Sequence, residues 1–190
     1  MYQKYSTDAL VLGSRERGEA DRVYTLYTKD FGLVRARASS VRSERSRMRY
    51  ALQSYSYANI SLVRGKRGWR VAGGTALRGV SSNVANVAAF ARIAELAVRL
   101  LAGEEENAYL FAALAEAHEA LMQNECSARA TIEIVCVARV LYALGYLSTE
   151  ALETALFTHT AYTGEHMLEA ETKRDKLLSS INRAIAESQL

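Results

Sequence analysis

ALVLGSRERGEADRVYTLYTKDFGLVRARASS, residues 9–40, alternates β-like runs with turn residues. Within its last run Val34, Ala36 and Ala38 fall on one face of a strand, and Arg35, Arg37 and Ser39 fall on the other, because strand side chains alternate. Asp30-Phe31-Gly32 fits a tight turn between two such strands. Further on, SYSYANISLVRGKRGWRVAGG (54–74) predicts two more strands, joined by the glycine-containing turn Arg64-Gly65-Lys66-Arg67-Gly68. Tyr55 and Tyr57 would share one face of the first of these. Five strands within residues 1–80, apolar on one face, predict a small five-stranded β-barrel, since a flat sheet would leave its edges exposed.

From about residue 82 the apolar period becomes helical. Val87, Phe90, Ala91, Ala94, Val98 and Leu101 form a stripe, with Arg92, Glu95 and Arg99 opposite. GEEEN (103–107) breaks that helix. Leu110, Ala113, Leu114, Ala117 and Leu121 make a second stripe. A third helix, roughly Ser127 to Leu144, is apolar nearly all round and is expected at the centre of a bundle, closed by Gly145. Leu177, Leu178, Ile181, Ala184 and Ile185 mark a last amphipathic helix. The fold class is α+β with β before α: a barrel over 1–80 and an all-helical domain over 81–190.

Charge follows the same division. Residues 1–80 carry 16 Lys+Arg against 6 Asp+Glu, a net of +10, while residues 81–190 carry 8 against 15, a net of −7. The basic half alone can attract a phosphate backbone. Its densest part is RARASSVRSERSRMRY (35–50), with six arginines and one acidic residue, Glu44. A solvated face mixes signs, so this stretch points to a polyanion. Seven of the eleven tyrosines and the only tryptophan also lie in residues 1–80. Such rings either fill a barrel core or stack on bases.

Catalytic motifs are missing: there is no GxxxxGK[ST] loop, GxGxxG turn, HExxH or GxSxG. The expectation is a protein that is not an enzyme, with no catalytic residue, no metal site and no cofactor. His118, His159 and His166 are scattered over the helical half without a cysteine or carboxylate cluster. Cys126 and Cys136 match no zinc or redox spacing, and Cys136 reads as a small buried hydrophobe. No apolar run reaches membrane-spanning length without a charge, and the N-terminus lacks a signal-type apolar core, so a cytoplasmic protein without membrane contact is expected.

ALVLGSRERGEADRVYTLYTKDFGLVRARASSVRS resembles the opening of the bacterial recombination and repair mediator family RecO. Gly18-Glu19-Ala20-Asp21-Arg22 matches the family's turn, and Thr28, Gly32, Arg35, Ala36 and Ala38 match its T-x-x-x-G-x-x-R-A-x-A strand pair. In SRMRYALQSYSYANISLVRGKRGWRV (46–71), Ser46, Arg47, Leu52, Gln53 and Ser56 match a second segment, with Ser54 in place of the usual proline. The resemblance implies an N-terminal OB-fold and a helical domain. It also implies a nucleoid-associated protein that binds single- and double-stranded DNA, anneals complementary strands and, with RecR, helps load RecA onto DNA coated by single-strand-binding protein. That protein's acidic C-terminal tail is a further implied partner, and RecA an indirect one. Many members carry a four-cysteine zinc module after the LGY segment. LGYLSTEALETALFTHTAYTGEHMLEAETK (144–173) has no cysteine, so the helical domain is expected to lack the zinc module and to be loop-rich there.

The candidate DNA contacts are Arg35 and Arg37 on the barrel wall and Arg42, Arg45, Arg47 and Arg49 in a mobile loop. Arg22, Arg64, Lys66, Arg67 and Arg70 extend the patch. Tyr55, Tyr57 and Trp69 are the candidates for base stacking. Two other readings fit the same residues: an adaptor whose basic half takes a partner's acidic tail, and an OB protein that binds RNA.

Overall fold

The structure is a computed structural model that describes residues 3–19, 21–39, 41, 48–123, 126–148 and 154–187. The described residues of 1–80 and 100–108 form one compact unit, and those of 81–99 and 109–190 form another.

The first unit is built on β1 (Lys4–Arg17), β2 (Asp21–Thr28), β3 (Gly32–Ala38), β4 (Tyr57–Gly65) and β5 (Gly68–Arg78), closed into a barrel in the order β1-β2-β3-β5-β4. The long first strand makes closure possible. Its N-terminal part pairs antiparallel with β4 (Lys4 opposite Val63, Leu10 opposite Tyr57), and its C-terminal part pairs with β2 (Ala9 opposite Thr28, Arg17 opposite Asp21). A bulge between Val11 and Gly13 bends the strand from one neighbour to the other. The seam is a short parallel pairing in which Ala36 lies opposite Trp69 and Arg37 opposite Arg70. This is the OB-fold.

The alternation read in β3 holds residue by residue: Val34, Ala36 and Ala38 are buried, and Arg35 and Arg37 are exposed. The inward set joins Leu26, Ile60 and Leu62, fully buried and each stabilising the barrel by about 1.5–3 kcal/mol. Tyr5, Phe31 and Trp69 pack edge-on or tilted at centroid distances of 5.2–5.7 Å. A one-turn helix, α1 (Met48–Ala51), adds Ala51 to the core, and Ser56 Oγ donates to the Ala51 carbonyl at 2.8 Å.

The turn from β2 to β3 is drawn together by Thr28, whose hydroxyl donates to the Gly32 carbonyl and accepts from the Phe31 N–H. Gly32 has φ of +62°, the left-handed region that favours glycine. A Cβ there would also run into the backbone of Glu105. The adjacent Leu33 N–H donates to the Gly103 carbonyl at 3.2 Å. GEEEN therefore does more than end a helix: it is an acidic strap that belongs to the barrel unit, a role its composition did not announce.

The second unit is helical, with α2 (Val84–Leu100), α3 (Ala108–Leu121), α4 (Arg129–Ala143), α5 (Gly164–Thr172) and α6 (Arg174–Glu187). The α3 stripe is buried as expected, with Phe111 and His118 added to it. In α2 the buried face is rotated from the expected one: Asn86, Ala89, Phe90, Ile93, Ala94 and Ala97 are inside, whereas Val87, Ala91 and Val98 sit at the margin. The cause is Asn86, which donates to the Gln123 carbonyl at 2.7 Å and accepts from Arg129 at 3.0 Å. Burying that amide with its partners turns the helix. The start of α2 is set by Asn83, whose side chain accepts from the Ala85 N–H.

Gly145 ends α4 with φ of +80°; its N–H reaches the Tyr142 carbonyl and the Tyr146 N–H reaches that of Leu141. This is the Schellman arrangement, with glycine where the left-handed residue is required. Inside α4, which reads as apolar nearly all round, Arg139 is fully buried. Its guanidinium donates to the carbonyls of Leu156, Thr160 and Ala161 and lies 4.6 Å from the Tyr162 ring centroid. A buried cation thus organises residues 154–163, the segment expected to be loop-rich. After it comes α5, a helix the polar sequence did not signal, capped by the Thr163 hydroxyl. Cys136 is a core residue whose thiol burial pushes up to about 12.

Candidate nucleic-acid interface

The barrel wall carries a cleft of about 560 Å³ whose lining includes Arg17, Arg37, Lys66, Arg67, Arg70 and Trp69. Five cations come together because of register. Arg17 ends β1, and Arg37 and Arg70 are direct partners across the β3–β5 seam. Lys66 and Arg67 form the two-residue loop between Gly65 and Gly68. In OB-folds the β1–β2 and β4–β5 loops flank the ligand-binding face, and these are the two loops found at this cleft.

The electrostatics are unbalanced. Arg37 is held by Asp21, a mostly buried carboxylate, through paired hydrogen bonds. Among the described residues no carboxylate pairs with Arg17, Lys66, Arg67 or Arg70. Arg37 and Arg70 are register partners across the β3–β5 seam, and Asp21 compensates the charge of the first of them only.

The other sequence candidates are placed as follows. Arg35 is exposed on the same face of β3 as Arg37, outside the cleft lining. Arg22 pairs with Glu16 at 3.4 Å and is not among the cleft-lining residues. Arg64 flanks the cleft: its guanidinium lies 5.1 Å from the Trp69 ring centroid and 3.3 Å from a Glu104 oxygen. Arg49 is on α1, next to the exposed ring of Tyr50. Arg42, Arg45 and Arg47 lie outside the described residues. Arg17 is not among the sequence candidates, because RER (15–17) mixes signs and lies outside the dense arginine run.

The aromatic candidates sit differently from the simplest picture. Trp69 is only 5% exposed, packed against Tyr5 and Phe31 with Arg64 over its ring. It is placed as a core residue at the floor of the cleft, and its buried indole N–H finds no acceptor among the described residues. Tyr55 and Tyr57 do not share a strand face: Tyr55 precedes β4 in a turn with φ of +65°. Tyr57 is half-buried, with its hydroxyl 3.3 Å from Asp8 and Arg78 beside its ring. Tyr24 and Tyr27 are buried, and burial raises both phenols above their ordinary value.

The histidines form no ligand set. His118 packs edge-on against Phe90 at 5.1 Å, and His159 stacks with His166 at 6.1 Å. Among the described residues no group of three or more His, Cys, Asp or Glu is placed to hold a metal, and no helix is long and apolar enough to cross a membrane.

Residues 1–71 match the family model described as recombination protein O N terminal. Over 62 residues the chain is 45% identical to the DNA repair protein RecO of Desulfitobacterium hafniense, a segment that is 33% of this chain and 23% of that protein. Over 62 residues it is 39% identical to the proteins of the same name from Dehalococcoides mccartyi and Pelotomaculum thermopropionicum, covering 24% of each. The matched stretch is thus under a quarter of each relative's length and lies within the barrel half.

Proposed function

We propose, from the match of residues 1–71 to the model described as recombination protein O N terminal, that this chain acts in DNA repair and recombination by holding DNA strands on its barrel cleft. The observation that carries this reading is the convergence of Arg17, Arg37, Lys66, Arg67 and Arg70 on one wall, four of them without a paired carboxylate among the described residues. Each phosphate neutralised there releases condensed counterions, which supplies binding free energy without regard to sequence.

The chemistry of the cleft favours annealing over mere coating. Phosphate contacts position a strand and leave its base edges free. Trp69, the largest aromatic at the cleft, is buried and covered by Arg64, so stacking would not sequester bases from a complementary strand. Arg35, Arg49 and Arg22 would extend the track for a longer strand, Arg42, Arg45 and Arg47 are further candidates for phosphate contact, and Tyr57 and Tyr55 are the remaining candidates for a base. The protein acts without covalent chemistry. In this reading it works with RecR to load RecA onto DNA coated by single-strand-binding protein, whose acidic tail is a second partner.

Strand annealing tests the proposal. Two complementary fluorescent strands coated with single-strand-binding protein should pair several-fold faster with the full chain than without it, and Arg67→Glu/Arg70→Glu should abolish the acceleration. Binding without acceleration would reduce the protein to a coating factor. If a peptide with the acidic tail's composition bound the cleft while DNA and RNA oligomers did not, the adaptor reading would replace this one. Preference for RNA over a matched DNA oligomer would favour the RNA reading.

A further inference from the structure

The cleft has an acidic neighbour from the same unit. The strap Gly103–Asn107 returns from the helical part of the sequence and is fastened to the barrel at two backbone points: the Leu33 N–H to the Gly103 carbonyl, and the bare Cα of Gly32 beneath the Glu105 peptide. That fastening brings Glu104 to Arg64, whose own chain neighbours, Val63 and Gly65, line the cleft. The Arg64 guanidinium is thus shared between a carboxylate at 3.3 Å and the Trp69 ring at the cleft floor.

We propose that the strap is an internal competitor for the cleft, with the Glu104 carboxylate occupying Arg64 in place of a nucleic-acid phosphate. This inference rests on the nucleic-acid reading above and adds its regulation. The pair is suited to exchange. Its side chains are 63% and 40% exposed, and ion pairs at such exposure are weak, so a phosphate can displace Glu104 without disturbing the barrel. The thermodynamic signature is specific. When Arg64 moves from Glu104 to a phosphate, the DNA releases a counterion, but the freed carboxylate takes one up. In the wild-type protein this contact therefore adds almost nothing to the salt dependence of binding. A protein without the Glu104 charge regains that contribution.

The experiment is a salt titration of binding to a fluorescent single-stranded oligonucleotide by four full-length proteins: wild type, Glu104→Gln, Arg64→Ala and the double variant. E104Q should bind roughly two- to fivefold tighter at low salt, the range expected for removal of an exposed ion pair. Its log–log salt slope should steepen by about 0.7, one additional contact on a single strand. The double variant should lose both gains, and R64A alone should differ little in slope from wild type. Identical affinity and slope for E104Q and wild type would overturn the inference while leaving the nucleic-acid reading intact. So would a gain that persists in the double variant, because the charge would then act through the general field and not through Arg64. Absence of binding by all four proteins would overturn the nucleic-acid reading itself.

Discussion

Arg139 is the residue on which the most local structure depends in the helical unit. Its charge is compensated by three carbonyls and an aromatic face, with no carboxylate paired to it among the described residues. The planar guanidinium fans out to all three acceptors, which an ammonium cannot do. Arg139→Met should lower the stability of the helical unit by about 3 kcal/mol or more, because buried carbonyls of residues 156–161 lose their donor. Arg139→Lys should not restore it. Urea unfolding followed by helical circular dichroism measures both, and an R139M midpoint equal to that of wild type would contradict this role. Position 139 could not be read from sequence, because a single arginine in an apolar helix looks the same whether its head is solvated or buried. Gly145 was legible, since a glycine after a long apolar run needs only local geometry to end a helix.

At the scale of elements, residues 154–172 are tied together by Glu169. Thr154 Oγ1 donates to its carboxylate at 2.6 Å, and Lys173 reaches the same oxygen at 3.2 Å. The Thr154 hydrogen bond, with Lys173 adding to it, holds the Glu169 carboxyl below its ordinary value. A carboxyl depressed in the folded state stabilises above its unfolded pKa, and the contribution is lost as pH falls through the folded one. The helical unit should therefore lose stability on acidification below the ordinary glutamate range, near pH 4.3, and Glu169→Gln should flatten that dependence. Unfolding midpoints across the acid range read the slope; equal slopes for the two proteins would contradict the linkage. These elements also show what a sequence conveys. β3 was legible to the residue because a barrel wall imposes a period of two on every side chain. The buried face of α2 was misplaced by about one residue, because Asn86 looks polar until its partners, Gln123 and Arg129, are known. GEHMLEAET offered no apolar stripe, so α5 had no signal to read. The cleft was half legible: charge density pointed to β3 and the β4–β5 loop, but Arg17 enters only through the β1–β2 register, and the strap only through a fold contact 73 residues from Gly32.

For the whole molecule, the sequence divides its charge, with +10 in residues 1–80 and −7 beyond, while the net of +3 would suggest an almost neutral surface. The acidic excess is not confined to the helical unit, since the strap carries three glutamates back to the barrel. Binding should accordingly depend on salt through the cleft rather than through net charge, and that dependence is the most direct measure of the central claim. If the four cleft cations without a paired carboxylate each neutralise a phosphate, affinity of the full chain for a single-stranded oligonucleotide should fall with a log–log slope of about −2.8 or steeper. That is on the order of 50-fold weaker binding for a fourfold rise in salt. Arg67→Glu/Arg70→Glu should make the slope shallower by about 1.4 and weaken binding at every salt concentration. An unchanged affinity and slope in that variant would show that the cleft is not where the strand is held.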